Sequence, residues 1–143
     1  MPDASSAGVV LDSSFLVAFY NSRDTHHERA LSAMRRLADG DWGVALLPEY
    51  VFLEVVTVLA ARKDHASAVE AGAILLAIHE LEFVPCSEVF LAAFDAFRAN
   101  RGLSFADAAI VAIARERTAS ILTFDADFGR VDGMDVVPQP DVL

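Results

Sequence analysis

Short runs of apolar residues alternate with longer segments of helical periodicity along most of this chain. The short runs are typical of buried strands, and the longer segments indicate helices that bury one face. The pattern predicts strands at 8–12, 43–47, 82–85, 120–124 and 134–137. It predicts helices at 13–20, 25–38, 48–62, 66–81, 88–101 and 104–117. Because helices separate the strands, we expect an α/β fold with a parallel sheet covered on both faces.

Two of the predicted helices carry additional local signals. Thr25 to Glu28 fits a capping box at the start of the second helix, in which both side chains bond to free backbone N–H groups. The fourth helix is apolar on nearly every side, which predicts either burial or contact with a partner. We therefore expect the helices from Pro48 to Leu81 to form a contact region for another chain.

Length and composition predict a single domain over residues 1–143, with a flexible lead at 1–7. Hydrophobic residues make up 55% of the chain, yet no apolar run is long enough to span a bilayer. We expect no membrane contact, and we expect the excess apolar surface to meet another protein. Cys86 is the single cysteine, so an internal disulfide is impossible and a cytoplasmic location is the expectation.

The formal net charge of −10 argues against one class of function. A sequence-independent nucleic-acid binder would carry a basic surface, which this composition does not favour. An enzyme whose bound metal ions contact phosphate is still compatible with the charge. A basic protein partner would also suit it.

Four acidic residues lie within or at the ends of apolar segments, where a carboxylate is unfavourable: Asp12, Glu54, Asp107 and Asp125. Removing one carboxylate from water costs several kcal/mol unless a partner compensates. Asp12 and Asp125 each follow a predicted strand, so they would meet if the first and fourth strands were neighbours. Glu54 and Asp107 lie on apolar helical stripes that point inward. Because a hard divalent cation would offset their repulsion, the pattern predicts a metal-dependent enzyme.

Each acidic residue also has a purely structural interpretation. Asp12 could cap the first helix, and Asp107 could lie in the first turn of the sixth helix, where a negative charge is favourable. Asp125 and Asp127 could be turn residues. Glu54 has the weakest interpretation of this kind, since nothing in an apolar stripe favours a carboxylate. The coincidence of all four therefore carries the prediction of a site.

The segments around these residues resemble the successive motifs of PIN domains, with a particular likeness to the VapC-type toxins of bacterial toxin–antitoxin pairs. The similar segments are 11–14, the apolar helix around Glu54, 104–112 and 122–128. The likeness spans about 9–137, and the order and spacing of the motifs agree with the family. One departure is Ser13, where threonine is common.

The resemblance implies a three-layer α/β/α fold with a five-stranded parallel sheet of order 3-2-1-4-5. That order places the first and fourth strands side by side. It also implies an endoribonuclease that depends on one or two Mg²⁺ or Mn²⁺ ions and hydrolyses RNA phosphodiesters through a metal-activated water. Further implications are a homodimer and a cognate antitoxin protein.

By position, the family's catalytic and metal-binding acids correspond to Asp12, Glu54, Asp107 and Asp125. Asp127 corresponds to a secondary metal ligand. Ser14 and Thr123 match hydroxyl positions that orient ligands or water. Separately from the resemblance, Arg115 and Arg117 could approach RNA phosphate, although solvated charges at a helix end explain them as well.

Two other functions fit parts of the sequence. A catalytically idle PIN-like module for RNA binding or assembly would keep the fold without the chemistry, and the intact acidic set disfavours it. A Mg²⁺-dependent phosphohydrolase could use Asp12 as a covalent nucleophile. Such a site would want a second aspartate two residues later, where this chain has Ser14.

Overall fold

The structure is a computed structural model that describes residues 8–139. The lead expected at 1–7 lies outside the described residues. The strands are β1 (Val9–Leu11), β2 (Ala45–Pro48), β3 (Leu81–Val84), β4 (Ser120–Leu122) and β5 (Val136–Val137). The helices are α1 (Ser13–Tyr20), α2 (His27–Ala38), α3 (Glu49–Arg62), α4 (His65–Ala77), α5 (Cys86–Ala99) and α6 (Phe105–Arg117), with a 3₁₀ helix at Ala126–Arg130.

The strands form one parallel sheet in the order β3-β2-β1-β4-β5, which confirms the order implied by the resemblance. Val9 lies opposite Ala45 in β2, and Leu11 lies opposite Leu122 in β4. Helix α6 contacts β1, β4 and α5, whereas α3 contacts β2, α1 and α4. The sheet therefore lies between two helical layers, and the carboxyl ends of β1 and β4 meet at one edge.

The central strands are buried along their whole length. Every residue of β1 and β2 is buried, because helices cover both faces of a parallel sheet and the strands need no polar side. On α3 the buried residues Val51, Val55 and Leu59 recur every four positions and form its core-facing stripe. This apolar frame fixes the loops that follow β1 and β4.

Three local predictions differ from the structure. Helix α4 ends at Ala77 rather than near 81, because Leu81 pairs with Ala45 and begins β3. Helix α5 begins at Cys86, directly after Pro85 at the N-cap. The predicted capping box is wrong, since α2 begins at His27 and its N-cap makes no side-chain hydrogen bond. The side chain of Asp24 instead accepts a hydrogen bond from the backbone N–H of the N-cap residue, at 2.8 Å.

Large apolar side chains are exposed on α4 and α5, and one more, Leu53, is exposed on α3. Helix α4 buries one face and exposes Val69, Ile74 and Leu76, in the region predicted to contact a partner. Helix α5, which that prediction left out, exposes four large apolar residues: Phe90, Leu91, Phe94 and Phe97. None of the helices within residues 8–139 is long and apolar enough to cross a membrane. The cytoplasmic location and the single-domain organisation remain predictions.

Candidate active site

The four acidic residues come from four different elements and share one crevice. Asp12 directly follows β1 and Asp125 follows β4, while Glu54 lies in α3 and Asp107 in the first turn of α6. Burial is the largest cause of the raised pKa of Asp107, and the negative charges of Asp12, Asp125 and Glu54 raise it further, so these three carboxylates lie within electrostatic reach of Asp107. The pairing of β1 with β4 produces this convergence, as the strand-end argument predicted.

Asp12 is the most buried of these carboxylates, with 2% of its surface exposed. Its Oδ2 atom accepts hydrogen bonds from the hydroxyls of Ser14 and Thr123, both at 2.7 Å, and from the Ser14 backbone N–H at 3.4 Å. The two hydroxyls accept in turn from backbone N–H groups, Ser14 from Phe124 at 3.0 Å and Thr123 from Asp125 at 2.9 Å. The loops after β1 and β4 are thereby joined through one carboxylate.

Each hydroxyl in this network has one proton to donate. Both protons are donated to Asp12. The 3.1 Å distance between the Ser14 and Thr123 oxygens therefore reflects two donors that share one acceptor, and it is not a further hydrogen bond. The second oxygen of Asp12, Oδ1, takes no part in the network. The predicted supporting role of Ser14 and Thr123 therefore corresponds to a specific geometry, in which they fix the orientation of Asp12.

Burial dominates the electrostatics of the crevice. It raises the pKa of Asp12, although hydrogen bonds from Thr123 and Ser14 lower it in part. Burial and then the charge of Asp12 raise the pKa of Asp107 to about 6, against a hydrogen bond from Ser104. Burial also raises the pKa of Glu54, where a hydrogen bond from Ser13 opposes it. The folded chain thus disfavours the charged forms of at least three of the four acids.

Glu54 does not lie where the sequence placed it. It borders the buried stripe of α3 beside Val55 instead of belonging to it, and the residue as a whole is exposed. Val58, four residues further along α3, is only half-buried, and Leu59 takes the core position. Glu54 therefore lies at the rim of the crevice, where partial burial of its carboxyl group raises its pKa.

The structural interpretations of the other acids hold as well. Asp12 caps α1, Ser104 caps α6 by accepting from the Asp107 N–H at 3.1 Å, and Asp125 accepts from the Asp127 N–H at 2.9 Å. Capping explains why these residue types suit their positions. It does not explain why the capped ends converge, which follows from the strand order.

The side chains of three further predicted residues contact groups other than the four carboxylates. The carboxylate of Asp127 lies 3.4 Å from Arg130, and its backbone N–H positions Asp125. Arg115 and Arg117 lie at the far end of α6, about 12 and 15 Å along the helix axis from Asp107. Arg117 is also paired with a glutamate of β3, so the geometry does not favour either arginine as a contact to RNA at this site.

The donor set fits a hard divalent cation. Carboxylate and hydroxyl oxygens are the ligands that Mg²⁺ and Mn²⁺ prefer. None of the salt bridges within residues 8–139 involves Asp12, Glu54, Asp107 or Asp125. As the described side chains stand, no three acidic, histidine or cysteine groups close around a single point. Mutual repulsion keeps unneutralised carboxylates apart, and a cation would relieve it.

A second set of residues beside the crevice had no clear signal in the sequence. The ring of His26 stacks on Phe124 at 5.1 Å, and the guanidinium of Arg29 lies over the same ring at 4.8 Å. Phe124 directly precedes Asp125, which was the one available hint. Contact between α2 and the loop after β4 could not be inferred from residues so far apart in the chain.

Comparison with known proteins identifies the family. The family model of the PIN domain matches residues 9–134, so the chain belongs to the PIN domain family. It is 23% identical over 122 residues to a VapC ribonuclease of Archaeoglobus fulgidus, covering 83% of this chain and 78% of that protein. The resemblance that the sequence motifs indicated is thereby confirmed.

Two solved structures are similar to this chain in fold. VapC20 of Mycobacterium tuberculosis, a toxin that cleaves the sarcin–ricin loop, has a TM-score of 0.77 at 27% identity, over 91% of this chain and 99% of that one. A toxin–antitoxin complex from Klebsiella pneumoniae has a TM-score of 0.61 at 18% identity, over 94% and 99%. The first is similar in sequence and fold, and the second in fold.

Replacing Thr123 with valine should destabilise the folded chain. The change removes one of the two hydroxyl donors to a buried carboxylate and leaves the Asp125 N–H without its acceptor. We expect Thr123→Val to lower the free energy of unfolding by about 1 to 3 kcal/mol, measured by urea denaturation. Thr123→Ser keeps the hydroxyl and should lose less than half as much. Equal losses in the two variants would contradict the hydrogen-bond explanation.

Relative to the Asp107→Asn variant, the wild-type chain in EDTA should lose stability as the pH rises from 3.8 to about 6. The folded chain holds the Asp107 proton in this window and the unfolded chain has released it, so the contribution is present at low pH and lost as Asp107 ionises. Between pH 4 and pH 7 we expect the free energy of unfolding of the wild type to fall by about 1 kcal/mol relative to the variant, a reduced value because partial exposure screens the charge. Thermal unfolding from pH 4 to 8 measures this change, and identical pH profiles would contradict a raised pKa for Asp107.

Proposed function

We propose that this chain is a metal-dependent endoribonuclease and the toxin of a toxin–antitoxin pair. The observation that carries the proposal is the convergence of four carboxylates at the joined ends of β1 and β4. The family match and the two similar proteins named as a ribonuclease and an RNA-cleaving toxin support this assignment.

In this proposal Asp12, Glu54, Asp107 and Asp125 hold one or two Mg²⁺ or Mn²⁺ ions. Such an ion acts as a Lewis acid on water and phosphate oxygens, which activates the nucleophile and stabilises charge on the leaving oxygen. Ser14 and Thr123 hold the Asp12 carboxylate in one orientation, so little reorganisation is needed when a ligand arrives. The backbone N–H of Asp127 positions the Asp125 carboxylate, and the carboxylate of Asp127 is the secondary metal ligand of the proposal.

Cleavage of end-labelled total RNA tests the proposal. Purified chain should make discrete cuts in Mg²⁺ or Mn²⁺ and none in EDTA. Asp12→Asn and Asp107→Asn should each reduce the rate by at least about 100-fold, since each removes a group that acts on the reacting centre. The matched control is Asp39→Asn, an exposed residue at the end of α2, which should cut at the wild-type rate.

The melting temperature measured with and without Mg²⁺ shows independently of cleavage whether the carboxylates bind a cation. Mg²⁺ should raise the melting temperature of the wild-type chain by mass action and by relief of carboxylate repulsion, and it should raise that of Asp107→Asn less. Cation binding without cleavage of any RNA class would favour the idle PIN-like module. Cleavage that persists in EDTA would contradict the metal chemistry.

We also propose that two copies of this chain pair through α5. Its exposed apolar residues recur at 90, 94 and 97, which is a helical stripe suited to contact with another helix. Glu88 lies in the first turn and Arg98 in the last, so antiparallel pairing places each acidic end beside the basic end of the other copy. Such a contact is self-complementary, as a two-fold dimer requires.

For the antitoxin we propose a different surface. A groove of about 660 Å³ lies between the ends of α2 and α4, lined by apolar residues that include Met34, Leu37, Val44 and Leu75. An apolar groove of this kind accepts the apolar face of a partner helix. The similar Klebsiella pneumoniae protein is part of a toxin–antitoxin complex, which supports such a partner here.

Light scattering of the purified chain tests the dimer. The wild type should have twice the 15.4 kDa mass of one chain, and Phe94→Ser should shift it toward a single chain. Leu76→Ser removes a comparably exposed residue of α4 and should leave the dimer intact. A dimer that survives Phe94→Ser, or one that is lost in Leu76→Ser, would place the contact elsewhere.

A further inference from the structure

A positively charged side chain lies in the wall of a cavity that ends at the carboxylate crevice. The cavity has a volume of about 490 Å³, and its lining includes Arg29 from α2 together with Thr123, Phe124 and Asp125. A second cavity of about 400 Å³ shares Arg29 and Gln139 with the first and continues along α2. A linear ligand could therefore pass Arg29 on its way to the crevice.

The surroundings of Arg29 orient its guanidinium and leave its N–H donors free for an anion. Its guanidinium lies over the Phe124 ring, an attractive arrangement that restricts the side chain before any ligand arrives. Four other arginines in the described part of the chain have acidic partners: Arg36, Arg98, Arg117 and Arg130. No salt bridge or hydrogen bond within residues 8–139 occupies Arg29. Its planar fork of N–H donors, which suits phosphate, is therefore available.

The charge of the molecule gives such a residue a defined role with an RNA substrate. RNA is a polyanion, and the chain carries a net charge of −10 with a carboxylate cluster at its proposed site. Cations in the crevice would neutralise the scissile phosphate but not its neighbours. A fixed positive charge beside the crevice would hold the next phosphate and set the direction of the strand.

We infer that the cleft between α2 and the loop after β4 binds the RNA strand next to the cleaved bond, with Arg29 contacting a phosphate and Phe124 holding Arg29 in position. This inference rests on the proposed ribonuclease function. It identifies single-stranded RNA as the ligand of the cleft, because a single strand can run through the two adjoining cavities past Arg29. The backbone contact carries no base preference.

Salt-dependent binding tests this role. Binding of a labelled random pool of single-stranded RNA, about 16 nucleotides long, is measured by fluorescence anisotropy in Mg²⁺, with Asp107→Asn present in every variant to prevent cleavage. Adding Arg29→Gln should make the negative slope of log binding constant against log salt concentration shallower by about 0.7, the value for one phosphate contact. The same change should weaken binding about fivefold at ~0.1 M salt. Arg29→Lys should recover the slope.

The matched control is Arg35→Gln, which makes the same charge change on the same helix but lies outside both cavities. It should bind like the Asp107→Asn reference. Equal effects of Arg29→Gln and Arg35→Gln would overturn the inference, because general charge alone would then explain the loss.

The same substitutions are also assayed for RNA cleavage with Asp107 intact. This assay separates the inference about Arg29 from the ribonuclease function on which it rests. Arg29→Gln should raise KM about fivefold, the same factor that one lost phosphate contact gives at ~0.1 M salt. Wild-type cleavage with an unchanged KM in Arg29→Gln would overturn the role of Arg29 and leave the ribonuclease proposal standing. Neither binding nor cleavage by any form would overturn both.

Discussion

The buried carboxylate of Asp12 is the constraint on which the site depends. A charge with 2% of its surface exposed is tolerable only because the Ser14 and Thr123 hydroxyls donate to it. Ser14 is two residues from Asp12, but the Thr123 hydroxyl is in reach only because β1 and β4 are adjacent and in register. The same register brings Asp125 to the crevice and directs the first turn of α6 toward it. The hydrogen bonds of the site and the positions of its carboxylates therefore both depend on the strand order.

Sequence reasoning succeeded where a signal was local or was carried by a family motif. The five strands, the approximate positions of the six helices and the strand order follow from short apolar runs, helical periodicity and the family motifs. The four acids named from the same motifs remain a proposal. It failed where a contact from elsewhere decided the outcome. Leu81 joins a strand because β2 offers it a partner, and Glu54 moves to the rim because Leu59 takes the inward position. The contact between Arg29 and Phe124 joins segments that are far apart in the chain, so it cannot be predicted from the local periodicity of the sequence.

The distribution of apolar and charged surface divides the molecule by function. Acidic groups and hydroxyls occupy one end of the sheet, where a cation and a phosphate would meet. The exposed phenylalanines of α5 and the apolar groove between α2 and α4 lie on helices and suit proteins. Arg29 borders the acidic region from α2, so a strongly acidic chain can still present positive charge where a nucleic acid would need it.

The hydrogen bonds of the site also determine when it can form. Ser14 and Thr123 are 109 positions apart in the chain, and Asp12 and Thr123 are 111 apart. During synthesis, a ribosome must therefore release nearly the whole domain before the Asp12 carboxylate gains its second hydroxyl donor. A nascent chain that stops before β4 contains Asp12, Glu54 and Asp107 but lacks Thr123 and Asp125. The fold therefore leaves the proposed site incomplete until most of residues 8–139 have been translated.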